Sequence, residues 1–341
     1  MPWMRCWTKN ARRANPPSIR FFLLLLAAAS SPALSQQITL HTQTNVVLVP
    51  ALVKDQAGAA VYGLHAADFV IEDDGVAQTV HLDEGAVDQP LSLIVAVQRG
   101  RRASYEFPRM RSLSTMLEPL SAQGQNRIAL VEFDRNVKVV QPFTNNVSLI
   151  TDDLENLQPG DGGDAILDAV FFSQTLLSRE PETRKKVLLL ISETRDHGSV
   201  LGKKSDELIV SLGNSNTIVY TLAFSPSRSN ILDTGRGNNQ NEMNSSPDLL
   251  APLRMAREGL RKNVPKSIAE MTGGEYESFS THKKFDLRMN DFSNHLYSRY
   301  LLSFVPKNPH PGLHRIVVRL ASQSNDSVLA RTSYWAKGAT E

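Results

Sequence analysis

The chain has 341 residues, with 37 Lys and Arg against 35 Asp and Glu and a single cysteine, so its formal net charge is +2. A chain of this length can bury one large core or two smaller ones. Residues 1–35 hold five of the basic residues, none of the acidic residues and the only cysteine, Cys6. The remainder, with 32 basic and 35 acidic side chains and no thiol, argues against general nucleic-acid binding, disulfides, zinc–thiolate sites and cysteine nucleophiles.

Residues 1–35 have the layout of a secretory signal peptide. Several arginines precede the apolar run FFLLLLAAA, and a polar stretch follows that ends in Ala33, Leu34 and Ser35. An apolar run of this length is too short for a bilayer, which needs about 20 residues. We therefore expect an exported protein, periplasmic or secreted, with no transmembrane helix after cleavage of the signal.

Residues 36–88 predict an N-terminal β segment. Short strand-like runs occur at 44–55, 59–64 and 68–82, and Asp74-Gly75 is a typical hairpin turn. The pattern changes near Pro90, where longer alternating elements begin. A domain boundary is therefore expected at about residue 88.

Residues 89–299 predict an α/β domain. Apolar strands without polar alternation are interleaved with helices, which indicates a doubly wound, mostly parallel sheet covered on both faces. The strands are expected at 92–97, 127–133, 137–143, 185–192 and 217–224, and the helices at about 107–120, 149–157, 164–177 and 205–213. Residues 225–249 contain few apolar side chains, so they are interpreted as a flexible insertion.

Residues 300–341 predict a C-terminal β segment. Strand-like runs at 300–306, 314–320 and 326–336 follow a helix that begins near Phe285, and Gly273-Gly274 can supply the left-handed cap of the preceding helix. The economical topology pairs this segment with residues 36–88. The expected fold is thus an α/β sheet flanked by a small β-domain built from both chain ends.

The order of these elements, together with the stretches GLHAADFVIEDDGV, IAEMTGGEYE and RYLLSFVP, resembles a known family. From about Ile38 to Ala336 the chain is similar to the VWFA-related domain of exported bacterial proteins, of the acidobacterial type, which is a variant of the von Willebrand factor type A domain. The resemblance implies a Rossmann-like fold and a non-enzymatic binding or adhesion module. It also implies a metal-ion-dependent adhesion site formed by an Asp-x-Ser-x-Ser loop, a Thr and a further Asp.

The positions that match this metal site carry other residues. Gln98 stands at the first Asp, Gly100 and Arg102 at the two serines, Asp164 at the Thr and Glu193 at the last Asp. Mg²⁺ requires a shell of hard oxygen ligands, and Arg102 adds a fixed positive charge instead. We therefore expect a degenerate adhesion site, no Mg²⁺ and no other cofactor.

Two interpretations of Arg102 remain open. Its guanidinium could pair with Asp164 and Glu193 and take over the structural task of the ion, or the loops could have diverged and left Arg102 as a solvated charge. A further alternative is a divalent-metal site rebuilt from Asp161, Asp164, Glu193 and Asp196. The rim of the predicted site comprises Arg99, Arg101, Asp161, Asp196 and His197.

A second feature is the density of arginine in the segment that follows the first α/β strand, at Arg99, Arg101, Arg102, Arg109 and Arg111. These side chains could attract an acidic protein, a polysaccharide or an anionic lipid, or they could form an ordinary solvated face. His197 is interpreted as a loop histidine without catalytic partners. The expected partner is a protein or a cell-surface ligand, with an acidic one as an option; a hydrolase is the remaining alternative.

Overall fold

The computed structural model describes residues 46–83, 85, 89–122, 125–197, 203–224, 250–322 and 324–337. The predicted signal peptide at 1–35 and the predicted insertion at 225–249 lie outside the described residues. Within the described part of the chain, no helix combines the length and the apolar character that crossing a bilayer requires.

The strands are β1 (Val47–Lys54), β2 (Phe69–Asp73), β3 (Val76–Ala77), β4 (His81–Asp83), β5 (Leu91–Gln98), β6 (Arg127–Phe133), β7 (Val137–Thr144), β8 (Lys185–Ser192), β9 (Ile218–Phe224), β10 (Tyr276–Phe279), β11 (Tyr300–Phe304), β12 (Gly312–Leu320), β13 (Ser327–Ala330) and β14 (Ser333–Ala336). The helices are α1 (Leu113–Ala122), α2 (Val147–Glu155), α3 (Ile166–Leu177), α4 (Lys203–Gly213), α5 (Ala251–Lys262), α6 (Val264–Thr272) and α7 (His282–Tyr297).

A six-stranded sheet with the order β10-β9-β8-β5-β6-β7 forms the centre of the molecule. Its neighbouring strands are parallel except for the antiparallel pair β6 and β7. Every residue of β5 is buried, since helices cover both faces of the sheet. Residues of α1 and α7 pack on one face, and residues of α3, α4 and α6 pack on the other.

Two antiparallel sheets flank this centre, with the orders β13-β1-β11-β4 and β14-β12-β2-β3. Both sheets join the two ends of the chain, because β1 pairs with β11 and β13 while β2 pairs with β12. They enclose a separate apolar core that includes Val49, Leu302 and Ile316. The predicted fold class, an α/β sheet flanked by a β-domain from both chain ends, is confirmed.

Local turn chemistry explains two of the predicted features. Asp74 and Gly75 have φ of 48° and 82° between β2 and β3, which is the positive-φ pair expected in a tight hairpin. Gly273 has φ of 77° and ends α6 in the left-handed conformation. Both positions behave as the sequence predicts.

Three predicted elements are wrong in detail. The helix expected from residue 107 begins at Leu113, because two short 3₁₀ turns at Ala103–Tyr105 and Phe107–Arg109 precede it. The run at 59–64 forms only a single bridge, between Ala60 and Lys54, and the positive φ of Gly58 and Gly63 interrupts an extended path on either side. The last predicted strand is divided into β13 and β14, with the buried Arg331 between them.

Candidate functional site

The predicted site residues lie where the central strands β5, β6 and β8 end. Because these strands are parallel, their carboxyl ends meet at one edge of the sheet, where ligands bind in open α/β sheets. The loops that follow them are joined there by the segment before α3. Arg101 N donates to Asp161 O at 2.9 Å, and Gly160 N donates to Arg99 O at 2.8 Å.

Gln98 ends β5 and is completely buried. Its Oε1 accepts a hydrogen bond from Glu193 N at 2.8 Å, and its Nε2 donates to Gly100 O at 3.4 Å. The neutral amide therefore ties the end of β5 to the loop after β8. At the position where the resemblance implies a metal-binding carboxylate, this chain has a hydrogen bond between loops.

Gly100 allows the loops to approach more closely than any other residue would. A Cβ atom at this position would lie 1.9 Å from Gly163 O and 2.9 Å from the Cβ of Asp134. The serine that the adhesion motif requires at this position therefore does not fit this loop conformation. Steric crowding therefore excludes a serine hydroxyl at position 100 in this loop conformation.

Arg101 occupies the space between the two remaining carboxylates. Its Nε lies 3.3 Å from Glu193 Oε2 and 3.5 Å from Asp164 Oδ2. Of the two interpretations of Arg102 that the sequence left open, one gave this contact to Arg102 and the other made it a solvated charge. The side chain of Arg102 is exposed and has no ion pair with any residue that the structure describes, as the second interpretation expects. Arg101 has a φ of 53°, a turn of the backbone that motif spacing does not reveal.

Asp164 is completely buried and is bound chiefly by His197. Its Oδ1 accepts from His197 N at 2.7 Å, and its Oδ2 lies 3.0 Å from His197 Nδ1. Burial raises the pKa of Asp164 to about 6, although the hydrogen bonds from His197 act in the opposite direction. Sequence reasoning did not assign His197 a partner, so this pair is a feature that only the structure shows.

Glu193 is held from one side only. Its Oε2 contacts Arg101, whereas its Oε1 is buried and has no hydrogen-bond partner in the described part of the chain. A buried carboxylate oxygen without a partner costs free energy, so it favours a positive group nearby. Arg101 supplies that charge to the other oxygen of the same carboxylate.

The other two acidic residues of the predicted site stabilise backbone. Asp161 Oδ1 accepts from Gly163 N at 2.8 Å and from Arg135 N at 3.2 Å, and the bond from Gly163 is the main reason why the pKa of Asp161 is lowered. Asp196 Oδ1 accepts from Leu167 N at 3.1 Å in the first turn of α3. Both carboxylates thus accept hydrogen bonds from backbone N–H groups, Asp161 within a loop and Asp196 at the start of α3.

Asp134 was not identified from the sequence, although it directly follows β6 at the same edge. It is buried, its Oδ2 lies 2.8 Å from Nη2 of Arg99, and its backbone oxygen accepts from Ala165 N at 2.7 Å. Arg99 also lies 3.7 Å from Glu132. The signal that could have found Asp134 is its place after a buried strand, the same place that Gln98 has after β5.

This donor set does not fit the metal ion that the resemblance implies. Asp164, Glu193 and His197 do lie close together, with one ligand atom each within 4.8 Å of the others. However, the guanidinium of Arg101 already contacts both carboxylates, and Gly100 excludes a hydroxyl ligand. A hard cation would have to displace Arg101 and would still lack the oxygen shell it prefers.

Comparison with known proteins agrees with the fold. Residues 100–195 match the family model of the von Willebrand factor type A domain. No curated protein matches the chain. Three similar solved structures are each 13% identical to this chain or less.

The conserved hypothetical protein BatB from Bacteroides thetaiotaomicron is 13% identical, with 60% of this chain and 98% of that chain covered and a TM-score of 0.39. The von Willebrand factor type A protein from Catenulispora acidiphila is 9% identical, with 79% and 74% covered and a TM-score of 0.46. The vWF domain of the type V pili tip protein Mfa5 from Porphyromonas gingivalis is 9% identical, with 60% of this chain and 95% of that chain covered and a TM-score of 0.39. The family match at residues 100–195 includes the loops of the site, and these loops follow strands of the six-stranded sheet. This chain therefore contains a von Willebrand factor type A-related domain.

Proposed function

We propose that this protein is an exported, non-enzymatic binding module that recognises a protein or surface ligand through the loops at the carboxyl edge of its central sheet, without a metal ion. Domains of the von Willebrand factor type A are generally interaction modules. The observation that carries the metal-free part is the position of Arg101, whose Nε lies within 3.5 Å of both Asp164 and Glu193.

The charge of Arg101 opposes a dication at this place. Two like unit charges about 4 Å apart repel by roughly 4 kcal/mol at an effective dielectric constant of 20, and a dication doubles that repulsion. The arginine also closes the site structurally, because it holds together the loops after β5 and β8 and the segment before α3. The loops are thereby ordered for a partner without an ion.

A second candidate is divalent-metal-dependent binding. It is favoured by the cluster of Asp164, Glu193 and His197 and by the unpartnered Oε1 of Glu193, provided that Arg101 swings out toward solvent. Calorimetric titration of the whole protein with Mg²⁺, Mn²⁺ and Ca²⁺ distinguishes the two candidates. Saturable heat that disappears in Glu193→Gln would replace the metal-free proposal with this one.

A hydrolase has weaker support. The pair of Asp164 and His197 resembles two members of a catalytic triad. Among the described residues, however, His197 forms hydrogen bonds with Asp164 alone, so no nucleophile is bound to its ring. Arg101 also lies beside Asp164 and compensates the negative charge that would orient a catalytic histidine.

The proposal is tested by selecting a displayed random-peptide library on the whole protein, in EDTA and again with Mg²⁺. Selected peptides are then titrated against Arg102→Ala/Arg195→Ala, which changes exposed side chains of the carboxyl-edge loops. The matched control is Arg179→Ala, an exposed arginine just after α3 at the opposite edge. We expect equal affinity with and without EDTA, and weaker binding in the loop variant only. Peptides that need Mg²⁺ contradict the metal-free proposal, and peptides that bind every variant of the carboxyl-edge loops as tightly as the control contradict the proposed surface.

A further inference from the structure

The structure divides the predicted arginine patch into paired and unpaired side chains. Arg99 pairs with Asp134, Arg101 with Glu193, and Arg109 with Glu106. Arg102 and Arg111 are exposed and form no ion pair within the described ranges. Only these two of the five arginines carry a charge that remains available to a partner.

Helix α7 brings more positive charge to the segment that contains Arg111. His282 Nδ1 lies 2.9 Å from Arg109 O, and Ser112 is hydrogen-bonded to Asp286, so the first turn of α7 is fastened to the segment that contains Arg111. Lys283 and Lys284 are exposed in that turn and have no ion pair with a described residue. We refer to Arg111, Lys283 and Lys284 as the basic rim.

A cleft with a mixed apolar and polar lining lies beside Arg111 of the basic rim. It has a volume of about 480 Å³ and lies between the segment after β5 and helix α2. Its apolar lining includes Val97, Phe107, Met110, Leu113, Leu154 and Leu157. Arg111 also lines it, so the cleft and the basic rim share this residue. Val97 places the cleft next to Gln98 in β5.

The charges around the cleft favour one orientation of a ligand. On the side of α1 and α7, Glu106 is paired with Arg109, and Asp286, which accepts from Ser112 and lies 3.6 Å from His282, places one carboxylate beside the three cations of the basic rim. The acidic residue that lines the cleft is Glu155, at the end of α2. A ligand with carboxylates toward α7 and an apolar group in the cleft therefore matches both the charge and the shape.

We propose that the cleft and the basic rim together bind an acidic segment of a partner protein, with one large apolar side chain in the cleft and neighbouring Asp or Glu side chains against Arg111, Lys283 and Lys284. This inference rests on the proposed function, because it assigns a partner chemistry to the same edge of the sheet. Apolar anchors in pockets and arginine contacts are the features that dominate many protein interfaces.

The test uses the same displayed peptide library on the whole protein. Selected sequences are expected to be enriched in Asp and Glu next to Leu, Met or Phe. Two labelled synthetic peptides from the enriched set are then measured by fluorescence anisotropy, one as selected and one with its apolar residue replaced by Ser. Changing the peptide tests the cleft without any risk to the fold of the protein.

The protein variant is Arg111→Ala/Lys283→Ala/Lys284→Ala, and the control is Arg179→Ala/Arg315→Ala, which removes exposed cations from other parts of the molecule. We expect the basic-rim variant to bind about tenfold or more weakly, the control to be unchanged, and the wild-type affinity to fall as salt increases. We also expect the Ser peptide to bind about tenfold or more weakly than its parent.

Three outcomes overturn the inference. The first is enrichment of basic or uncharged peptides, and the second is equal binding by the basic-rim variant and the control. The third is binding to vesicles that contain phosphatidylserine, lost in the basic-rim variant, without binding of any acidic peptide. If the basic-rim variant binds normally while Arg102→Ala/Arg195→Ala does not, the inference fails and the proposed function stands. If neither variant loses binding, both fail.

Discussion

Arg101 Nε lies 3.3 Å from Glu193 Oε2, and this contact joins the loop after β5 to the loop after β8. In a metal-dependent adhesion domain an ion connects the corresponding loops. Here a side chain of the protein itself is placed between the carboxylates, with Asp164 as its second neighbour. Under the proposed metal-free function, the order of these loops depends on the folded chain and not on a bound ion, and this proposal can be tested by mutation.

We predict that Arg101→Gln lowers the free energy of unfolding by about 1 to 2 kcal/mol, because it leaves two largely buried carboxylates without their cation. Arg101 is partly exposed, so the loss should be smaller than for a fully buried pair. The measurement is urea unfolding at pH 7. The control is Arg102→Gln, an exposed neighbour that should change stability by less than about 0.5 kcal/mol. Equal losses in the two variants would show that Arg101 has no special role.

We predict that Gly100→Ser, which restores the residue of the adhesion motif, destabilises the protein instead of creating a metal site. The new Cβ would lie 1.9 Å from Gly163 O, so the loops would have to separate. We expect a loss of about 3 kcal/mol, typical of overpacking a tight site, measured as a lower midpoint of urea unfolding.

Gly162→Ala is the matched control, because a Cβ at Gly162 meets no atom within 4 Å and φ there is unstrained. That variant should differ from wild type by less than about 1 kcal/mol. A stable Gly100→Ser protein that binds Mg²⁺ would be evidence against the steric argument.

Much of the fold could be predicted because its central strands consist mainly of apolar residues. Strands β5, β8 and β9 each contain a buried run that is mainly apolar, so a place in the centre of a parallel sheet is expected from their composition. The pairing of the chain ends was also predictable, because strand-like segments at both ends had no other partner in sequence. The details that failed depend on local backbone geometry, as at Gly58 and Gly63.

The site could be predicted in its position but not in its contacts. The resemblance to the adhesion motif implied that Gln98, Asp164 and Glu193 are neighbours, at the edge where the carboxyl ends of parallel strands meet. It could not decide between Arg101 and Arg102, because the choice depends on a positive φ at a non-glycine residue. It also missed Asp134, since an acidic residue in a hairpin turn looks ordinary in a sequence.

A histidine in the flanking β-domain gives a prediction about pH. His314 is buried, its Nδ1 lies 3.1 Å from Asp73 Oδ1 and 2.9 Å from Asp74 Oδ2, and its Nε2 lies 2.7 Å from His310 O. Burial opposes the charged ring, but the hydrogen bonds to Asp73 and Asp74 outweigh it and raise the pKa of His314 to about 10. The rings of His310 and His314 are stacked 3.9 Å apart at 20°, so one metal ion could not lie in both ring planes.

A pKa that is raised on folding adds stability at pH values below the unfolded pKa, near 6.5, and this stability is lost as pH rises through the folded pKa. We therefore predict that the free energy of unfolding of the wild type falls between about pH 7 and 10, and that this slope is smaller in His314→Gln. His81→Gln, at an exposed position in β4, should keep the wild-type slope. Parallel curves for wild type and His314→Gln would contradict the assignment of a charged His314.

Arg331 joins the flanking β-domain to helix α4 and is the basis of the last prediction. It is buried between β13 and β14, and burial lowers its pKa to about 10. Its Nη2 donates to Gly213 O at 3.1 Å, and its Nη1 donates to Ser215 O at 3.3 Å and to Leu48 O at 3.2 Å. One guanidinium thus satisfies carbonyl groups at the carboxyl end of α4 and in β1, where a cation also interacts favourably with the helix dipole.

Arg331→Met keeps much of the side-chain volume but removes every donor, so several buried carbonyl groups lose their partner. At about 1 kcal/mol for each lost hydrogen bond, we expect the free energy of unfolding to fall by about 3 kcal/mol or more. The measurement is urea unfolding followed by tryptophan fluorescence, because Trp335 follows Arg331 closely in β14. Arg315→Met, at an exposed position of β12, is the control and should be nearly neutral. If the two methionine variants unfold at the same urea concentration, the connection between the β-domain and α4 does not depend on Arg331.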